Sequence, residues 1–393
     1  MWQVDVVTET RGFESLRAEW TALVDRCPQA TVFQSFEWLY TWWGELGSSG
    51  LGRSLHILTI RDEDSSLVGL APMMKSRSLM SRLSFLGAGV SDYHDVIAEP
   101  DRGPQVCAAI YRFLASSKAW HIADFSQLRE GSLLRANPPE KESRLVWQDF
   151  VLERCPYLQF PTEPTAEAQW QTLLKQYSRK MRSHIGYYER KLRALYEVEI
   201  GFIDEANRID EAMSALFELH RRRWNKRWMP GVLGGASMQQ FHRRVAREFV
   251  ARGYLRLHYI KLDGEYQALL YCFAFHDRTC YYQGGFEPTL ARLSLGSVLT
   301  ASSIRQAIEE GRSEFDFLRG DEPYKQRWTQ GQARFNARRL VARSGTAYLA
   351  IATQECRFAS AIEMRLKEFM HHVYSKEPRS RPANASQEPE SET

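Results

Sequence analysis

A chain of 393 residues is long enough for two domains, each with its own core. Apolar residues make up 44% and charged residues 25%, an ordinary balance for a soluble globular protein, and a net charge of +4 is too small to argue by itself for nucleic acid. None of the six cysteines sits in a C-x-x-C pair and no Cys/His cluster has metal spacing, so reduced thiols and no metal are expected. The first twenty residues lack the apolar core of a signal peptide, and no uncharged apolar run approaches a membrane span; a cytoplasmic protein without a membrane span is expected.

In chain order, GFESLRAEWTALVDRC places Phe13, Leu16, Trp20 and Leu23 at helical spacing. FQSFEWLYTWWGEL is aromatic on nearly every turn, which fits a helix packed under a sheet; an aromatic binding box is the alternative. SLHILTIRD and SLVGLAPMMKS read as two strands, followed by strands in LSFLG and HDVIAEP, a helix over 105–117 and a strand in WHIADFSQL. Between these lies SDYHDV. Asp92, His94 and Asp95 invite a metal or catalytic reading, but no third ligand group is near, and a polar loop at a domain seam fits better.

Pro156, Pro161 and Pro164 place a domain boundary near residue 160. The helical stretch after it carries Arg179, Lys180, Arg182, Arg190, Lys191 and Arg193 against one acid, Glu189. This is either a solvated face or a cationic surface for a phosphate-rich ligand. A strand in YEVEIGFID, a helix over 205–228 with the basic end HRRRWNKRW, and a helix over 238–251 come next. Three strands then form an antiparallel meander, with Asp263-Gly264 as a hairpin turn.

Residues 281–328 are the most informative stretch. YYQGGF is a strand, Gly296–Glu310 a helix closed by Gly311, and SEFDFL a second strand. Arg292, Ser294, Gly296 and Ser297 lie where that helix begins, an arrangement that offers backbone N–H groups to an anion such as the phosphate of a cofactor. A further strand (ARFNARRLVAR), a closing helix and a disordered tail over 375–393 complete the chain.

A meander leading into strand, loop, helix and strand resembles the GNAT acyltransferase superfamily. Across nearly the whole chain, the basic RKMRSHIGYYERKLRAL helix, YYQGGFEP…SLGSVL and FDFLRGDEPYKQRW resemble its CelD-like subgroup, named for cellulose-biosynthesis members. These are double-GNAT proteins related to Fem-type aminoacyl transferases. The resemblance implies an α/β (α+β) fold of tandem GNAT-like domains. Each would be a mixed, mostly antiparallel sheet flanked by helices, and the C-terminal one would hold a splayed parallel strand pair. A degenerate N-terminal domain over 1–160 and an acyltransferase domain over 161–374 follow from it.

It also implies acetyl-CoA, or another acyl-CoA, as cofactor. Tyr282, Gly284, Arg292, Leu293, Ser294, Leu295, Gly296 and Ser297 would hold it, although Arg292-Leu-Ser-Leu-Gly296-Ser297 is one residue out of step with the superfamily's Q/R-x-x-G-x-G/A. Tyr324 takes the place of the acid that protonates the departing thiolate. The base stays open among Asp316, Glu322, His220 and a water relay. Asp92, His94, Arg319, Lys325 and Trp328 are candidates for contact with a small-molecule or saccharide acceptor in cell-envelope or exopolysaccharide synthesis. Two alternatives stand beside this reading: a Fem-like transferase using aminoacyl-tRNA, the one case in which nucleic acid is a partner, and a non-catalytic scaffold.

Overall fold

The computed structural model describes residues 2–50, 52–77, 80–225 and 233–343. The expected closing helix and the 375–393 tail lie outside the described residues. The first part of the chain gives β1 (Gln3–Val7), α1 (Thr10–Ser15), α2 (Arg17–Arg26) and α3 (Phe36–Trp42). Five strands follow, β2 (Arg53–Leu55), β3 (Ile57–Arg61), β4 (Leu67–Ala71), β5 (Met73–Ser76) and β6 (Arg82–Phe85), then β7 (Ile97–Ala98), α4 (Gly103–Ser116), β8 (Ile122–Leu128), α5 (Leu133–Ala136) and β9 (Val146–Gln159). The rest supplies α6 (Ala166–Gln176), α7 (Arg179–Leu195), β10 (Val198–Ile203), α8 (Ile209–Asn225) and α9 (Ala236–Ala251). The meander is β11 (Leu255–Leu262), β12 (Glu265–Phe275) and β13 (Arg278–Phe286), and after it come α10 (Leu295–Glu309), β14 (Glu314–Asp316), α11 (Pro323–Thr329) and β15 (Ala333–Ala342).

The strands form a four-stranded sheet, β1-β3-β4-β7, and an eleven-stranded one, β10-β11-β12-β13-β14-β9-β15-β8-β6-β5-β2. The expected mixed, mostly antiparallel α/β architecture is present. Two parallel pairs punctuate it. β6 pairs with β8 across helix α4, and β13 pairs with β14 across helix α10, so each half repeats a strand–helix–strand unit. The two strands expected over 54–62 and 66–76 each divide, near His56 and Pro72. Their outer pieces join the large sheet and their inner pieces the small one. Proline cannot donate to a ladder, so a strand passing through one is free to change sheets there.

Pro156 is a correction to the sequence reading. It does not break the chain but lies inside β9, which pairs with β15 over most of its length and with β14 at its end. β9 thereby carries one continuous sheet across both halves. The helix expected after residue 160 is broken at Tyr177, and the Ser178 hydroxyl caps α7 by accepting from the Met181 N–H at 3.2 Å.

Three buried clusters result. The first packs the α1–α3 aromatics and α8 and α9 on one face of the meander, and Phe33, Phe36, Trp38 and Trp42 are buried there rather than forming a binding box. The second packs α6, α7, α10 and α11 on the opposite face. The third surrounds α4. Among the described residues, no helix is long and apolar enough to cross a membrane.

Candidate functional site

β13 and β14 pair only at Arg278↔Glu314, Thr279↔Phe315 and Cys280↔Asp316. From Tyr281 onward β13 has no strand partner on that side among the described residues. A bulge against β12 marks the same place: Tyr271 pairs with Gln283 and Cys272 with Tyr281, leaving Tyr282 as the extra residue. Beside this parting lies a cavity of about 880 Å³. Its walls come from Ser178, Lys180, Met181 and His184 of the α7 start, Tyr281 and Phe286 of β13, the first turn of α10, Arg223 of α8, and Tyr324, Arg327 and Trp328 of α11.

Ser294 begins α10 in a left-handed conformation (φ 51°), and its carbonyl accepts from the Ser297 and Val298 N–H groups. The Leu295 and Gly296 amides, one step earlier, have no acceptor within the helix. Ser294, Leu295, Gly296 and Ser297 all line the cavity, so a helix N-terminus faces it. Arg292 is exposed and outside the lining. Leu293 is buried and also outside it.

Gly284 and Gly285 serve opposite faces of β13. A Cβ on Gly284 would stand 2.5 Å from the Tyr281 hydroxyl, and one on Gly285 2.8 Å from the His220 amide nitrogen. The first absence gives the Tyr281 ring its place in the cavity wall, and the second lets α8 approach the strand. Tyr282 points to the first cluster instead, where its hydroxyl donates to the Val90 carbonyl at 2.9 Å. Tyr282 and Gly284 therefore shape the site from behind rather than lining it.

Tyr324 reaches the cavity with its ring centroid 6.4 Å from that of Tyr281. Burial, then the neighbouring Tyr281 and Glu322, hold its phenol well above 10. Trp328 packs at the base, its carbonyl accepting from the Tyr177 hydroxyl at 2.8 Å. Of three consecutive arginines on α8, Arg221 pairs with Glu218 (2.7 Å), and Arg222 pairs with Glu218 (2.8 Å) and Glu287 (2.9 Å). Arg223 instead lies 4.6 Å over the Phe286 ring. Lys180, Arg223 and Arg327 have no carboxylate partner among the described residues. His184, flanked by Arg327 and Lys180, is held below its ordinary pKa by burial and then by those two cations.

The remaining predicted site residues are elsewhere. Asp316 is fully buried, and burial pushes its carboxyl up to about 6. It accepts from the Tyr93 hydroxyl (2.9 and 3.0 Å) and from the Leu318 N–H (2.8 Å). Arg319 pairs with Asp92, whose carbonyl accepts from Asn336 at 3.0 Å. His94 is buried beside Phe85, with Nδ1 3.1 Å from the Ser126 carbonyl. Lys325 is buried and turned to Glu322 (2.9 Å) and the Arg319 carbonyl. Glu322 is exposed and outside the lining. Asp92 and Tyr93, through Arg319 and Asp316, thus bind the SDYHDV loop to the FDFLRGDEPYK segment, while His94 and Lys325 are held within their own surroundings. His220 is buried next to Gly285 without lining the cavity. Among the described residues, no group of three His, Cys, Asp or Glu could hold a metal.

Sequence reasoning missed Tyr281, Phe286, His184 and the single role of Arg223. The RRR run was visible, but which arginine lacks an acid depends on Glu287, 65 residues away.

Residues 179–326, from α7 to α11, match the family model described as the acetyltransferase (GNAT) domain. Three solved structures share the fold. FemX covers 85% of this chain and 96% of its own at 9% identity (TM-score 0.56). A conserved protein of unknown function from Bacteroides thetaiotaomicron covers 86% and 100% at 13% identity (TM-score 0.54). The C-terminal domain of a putative lysylphosphatidylglycerol synthetase from Agrobacterium fabrum covers 88% and 96% at 13% identity (TM-score 0.50). No curated protein matches this sequence. The chain has the GNAT fold, with its matched GNAT domain built around the cavity.

Proposed function

We propose that the protein is an acyl-CoA-dependent N- or O-acyltransferase, with acetyl-CoA the donor and a small-molecule or saccharide precursor the acceptor. One observation supports this above the others. A helix N-terminus, cations without a carboxylate partner among the described residues and a partly buried tyrosine meet in a single cavity where two parallel strands part. The residues fit the donor. The α10 amides with Ser297 suit a pyrophosphate, Lys180 and Arg327 suit further phosphate charge, and Tyr281, Phe286 and Leu290 give an apolar slot. The volume is that of a cofactor site. Bound there, the donor would supply a thioester carbonyl for an acceptor amine or hydroxyl to attack.

Tyr324 acts as the acid. Its raised pKa keeps the phenol protonated at neutral pH, able to give its proton to the departing sulfur. Because Asp316, Glu322 and His220 do not line the cavity, the acceptor's proton leaves by water or through His184, which its lowered pKa keeps neutral at pH 7. Thiol release from acetyl-CoA with a panel of amines and sugars tests this. Tyr324→Phe should lower turnover by about 10²-fold or more while acetyl-CoA binding persists. Equal turnover in the variant rejects the acid role, and no turnover by either protein on any acceptor favours the scaffold.

A second reading, a Fem-like transfer from aminoacyl-tRNA, is favoured by the exposed Arg179, Lys180, Arg182, Arg190 and Arg193 on α7 beside the cavity. Binding of tRNA that weakens steeply with salt would support it, because each neutralised phosphate releases counterions. A flat response would remove it.

A further inference from the structure

We infer that Tyr281 sets the length of the acyl group: its ring closes the inner end of the donor slot, so a two-carbon acyl group is accepted and longer chains are refused. This rests on the acyltransferase reading above and adds to it the residue that chooses among donors.

The slot has a direction. Its outer end is the start of α10, where a Cβ on Gly296 would stand 3.1 Å from the Phe286 ring. Its inner end is the last pairing of β13 with β14, Cys280↔Asp316, and Tyr281 is the next residue of β13. From Phe286 back to Tyr281 is five residues of strand, roughly 16 Å. With a pyrophosphate held by the α10 amides, that length leads an extended pantetheine arm to its thioester at Tyr281.

Rings wall the inner end. Tyr281 and Tyr324 both line the cavity, their ring centroids 6.4 Å apart and their planes 54° apart. On its other side Tyr281 meets Phe317 at 6.0 Å, and Phe315 stands 5.1 Å from Phe317. Phe315 and Phe317 lie outside the lining, behind Tyr281. A carbon between two rings needs about 3.5–4.0 Å to each, hence about 7 Å or more from ring to ring. Neither gap beside Tyr281 is that wide, so a methylene chain does not pass. The Tyr281 ring lies along its strand, with the hydroxyl 2.5 Å from where a Cβ on Gly284 would stand. It is buried in the second cluster, so turning it aside would disturb close-packed neighbours. Tyr324 shares the gap but carries the acid role. Tyr281 is therefore the ring whose removal opens the slot and spares the acid.

Isothermal titration of acetyl-CoA, butyryl-CoA and hexanoyl-CoA into wild type and Tyr281→Ala tests this, together with thiol release from the same three donors over the acceptor panel. Wild type should bind hexanoyl-CoA about 10-fold or more weakly than acetyl-CoA, and prefer acetyl by about 10²-fold or more in kcat/KM. In Tyr281→Ala the kcat/KM ratio should fall below about 10 or reverse. A residue that only supported the fold would lower all three donors alike and leave the ratio where it was. Equal use of the three donors by wild type, or an unchanged ratio in Tyr281→Ala, overturns the inference and leaves the acyltransferase reading intact. Folded wild type that binds none of the three overturns that reading, and this inference with it. If Tyr281→Ala does not fold, Tyr281→Leu, which keeps an apolar side chain but removes the ring, carries the same comparison.

Discussion

At the scale of single residues, the two adjacent glycines of β13 decide the site. Gly284→Ala sets a methyl against the mobile end of a side chain, so the Tyr281 hydroxyl must shift. Turnover should fall with a small loss of stability. Gly285→Ala sets a methyl against the backbone of α8, which cannot yield, and should cost roughly 1–3 kcal/mol. Thermal melts and thiol-release rates of the two variants separate these outcomes, and equal losses of stability would contradict the account. The glycines were visible in the sequence, and Gly284 was read as a cofactor contact. Its reason is different: the bulge at Tyr282 shifts the alternation, and a bulge is not legible in residue types. Asp316 was more legible. Alternation placed it on the strand face opposite Phe315 and Phe317. It is bonded to Tyr93 there, while both phenylalanines pack in the second cluster.

At the scale of elements, α7 and the start of α10 form two lips of the cavity, and Lys180 of α7 and Arg327 of α11 bring charge to them. Both were legible as helices, α10 from its apolar face and its Gly311 cap and α7 from its basic run. That α7 is separated from α6 at Tyr177 was not, because Ser178 reads equally well as a cap or as an ordinary helical residue. If the lips hold phosphates, Lys180→Glu combined with Arg327→Glu should weaken acetyl-CoA binding by more than 10-fold and flatten its salt dependence. Titrations at two ionic strengths measure this; unchanged affinity would place the phosphates elsewhere. β9 was the element least legible in advance. Its Pro156 argued for a break, and its pairing with β15 depends on residues nearly two hundred positions later.

At the scale of the whole molecule, β9 and β15 tie the halves into one sheet, and the Asp92–Arg319 and Tyr93–Asp316 contacts seal them. Residues 161–343 alone would lose β9, uncover the flank of β14 and deprive Asp316 of Tyr93 and Arg319 of Asp92. Such a fragment should be insoluble or lack a cooperative melt, whereas a folded, active fragment would contradict the seam described here. The buried histidines give a second global prediction. Burial lowers His56, His94 and His220 to about 4 and His242 and His258 to about 3. Below pH 6.5 the unfolded chain binds protons that these five cannot, so stability falls as pH drops from 6.5 toward 4. Buried Asp95 (about 7), Asp316 (about 6) and Asp92 (raised) act in the opposite sense, and the five imidazoles outnumber them. The melting temperature should therefore decline over that window, and His242→Phe, which removes a ring with neither nitrogen bonded, should make the decline shallower.

The most direct test of the central claim is isothermal titration of acetyl-CoA into the wild-type protein and into Ser297→Trp, which fills the cavity at the start of α10. Saturable one-to-one binding by the wild type, lost in the folded variant, is the predicted result. No binding by the wild type at millimolar acetyl-CoA, or equal binding by both proteins, would contradict it.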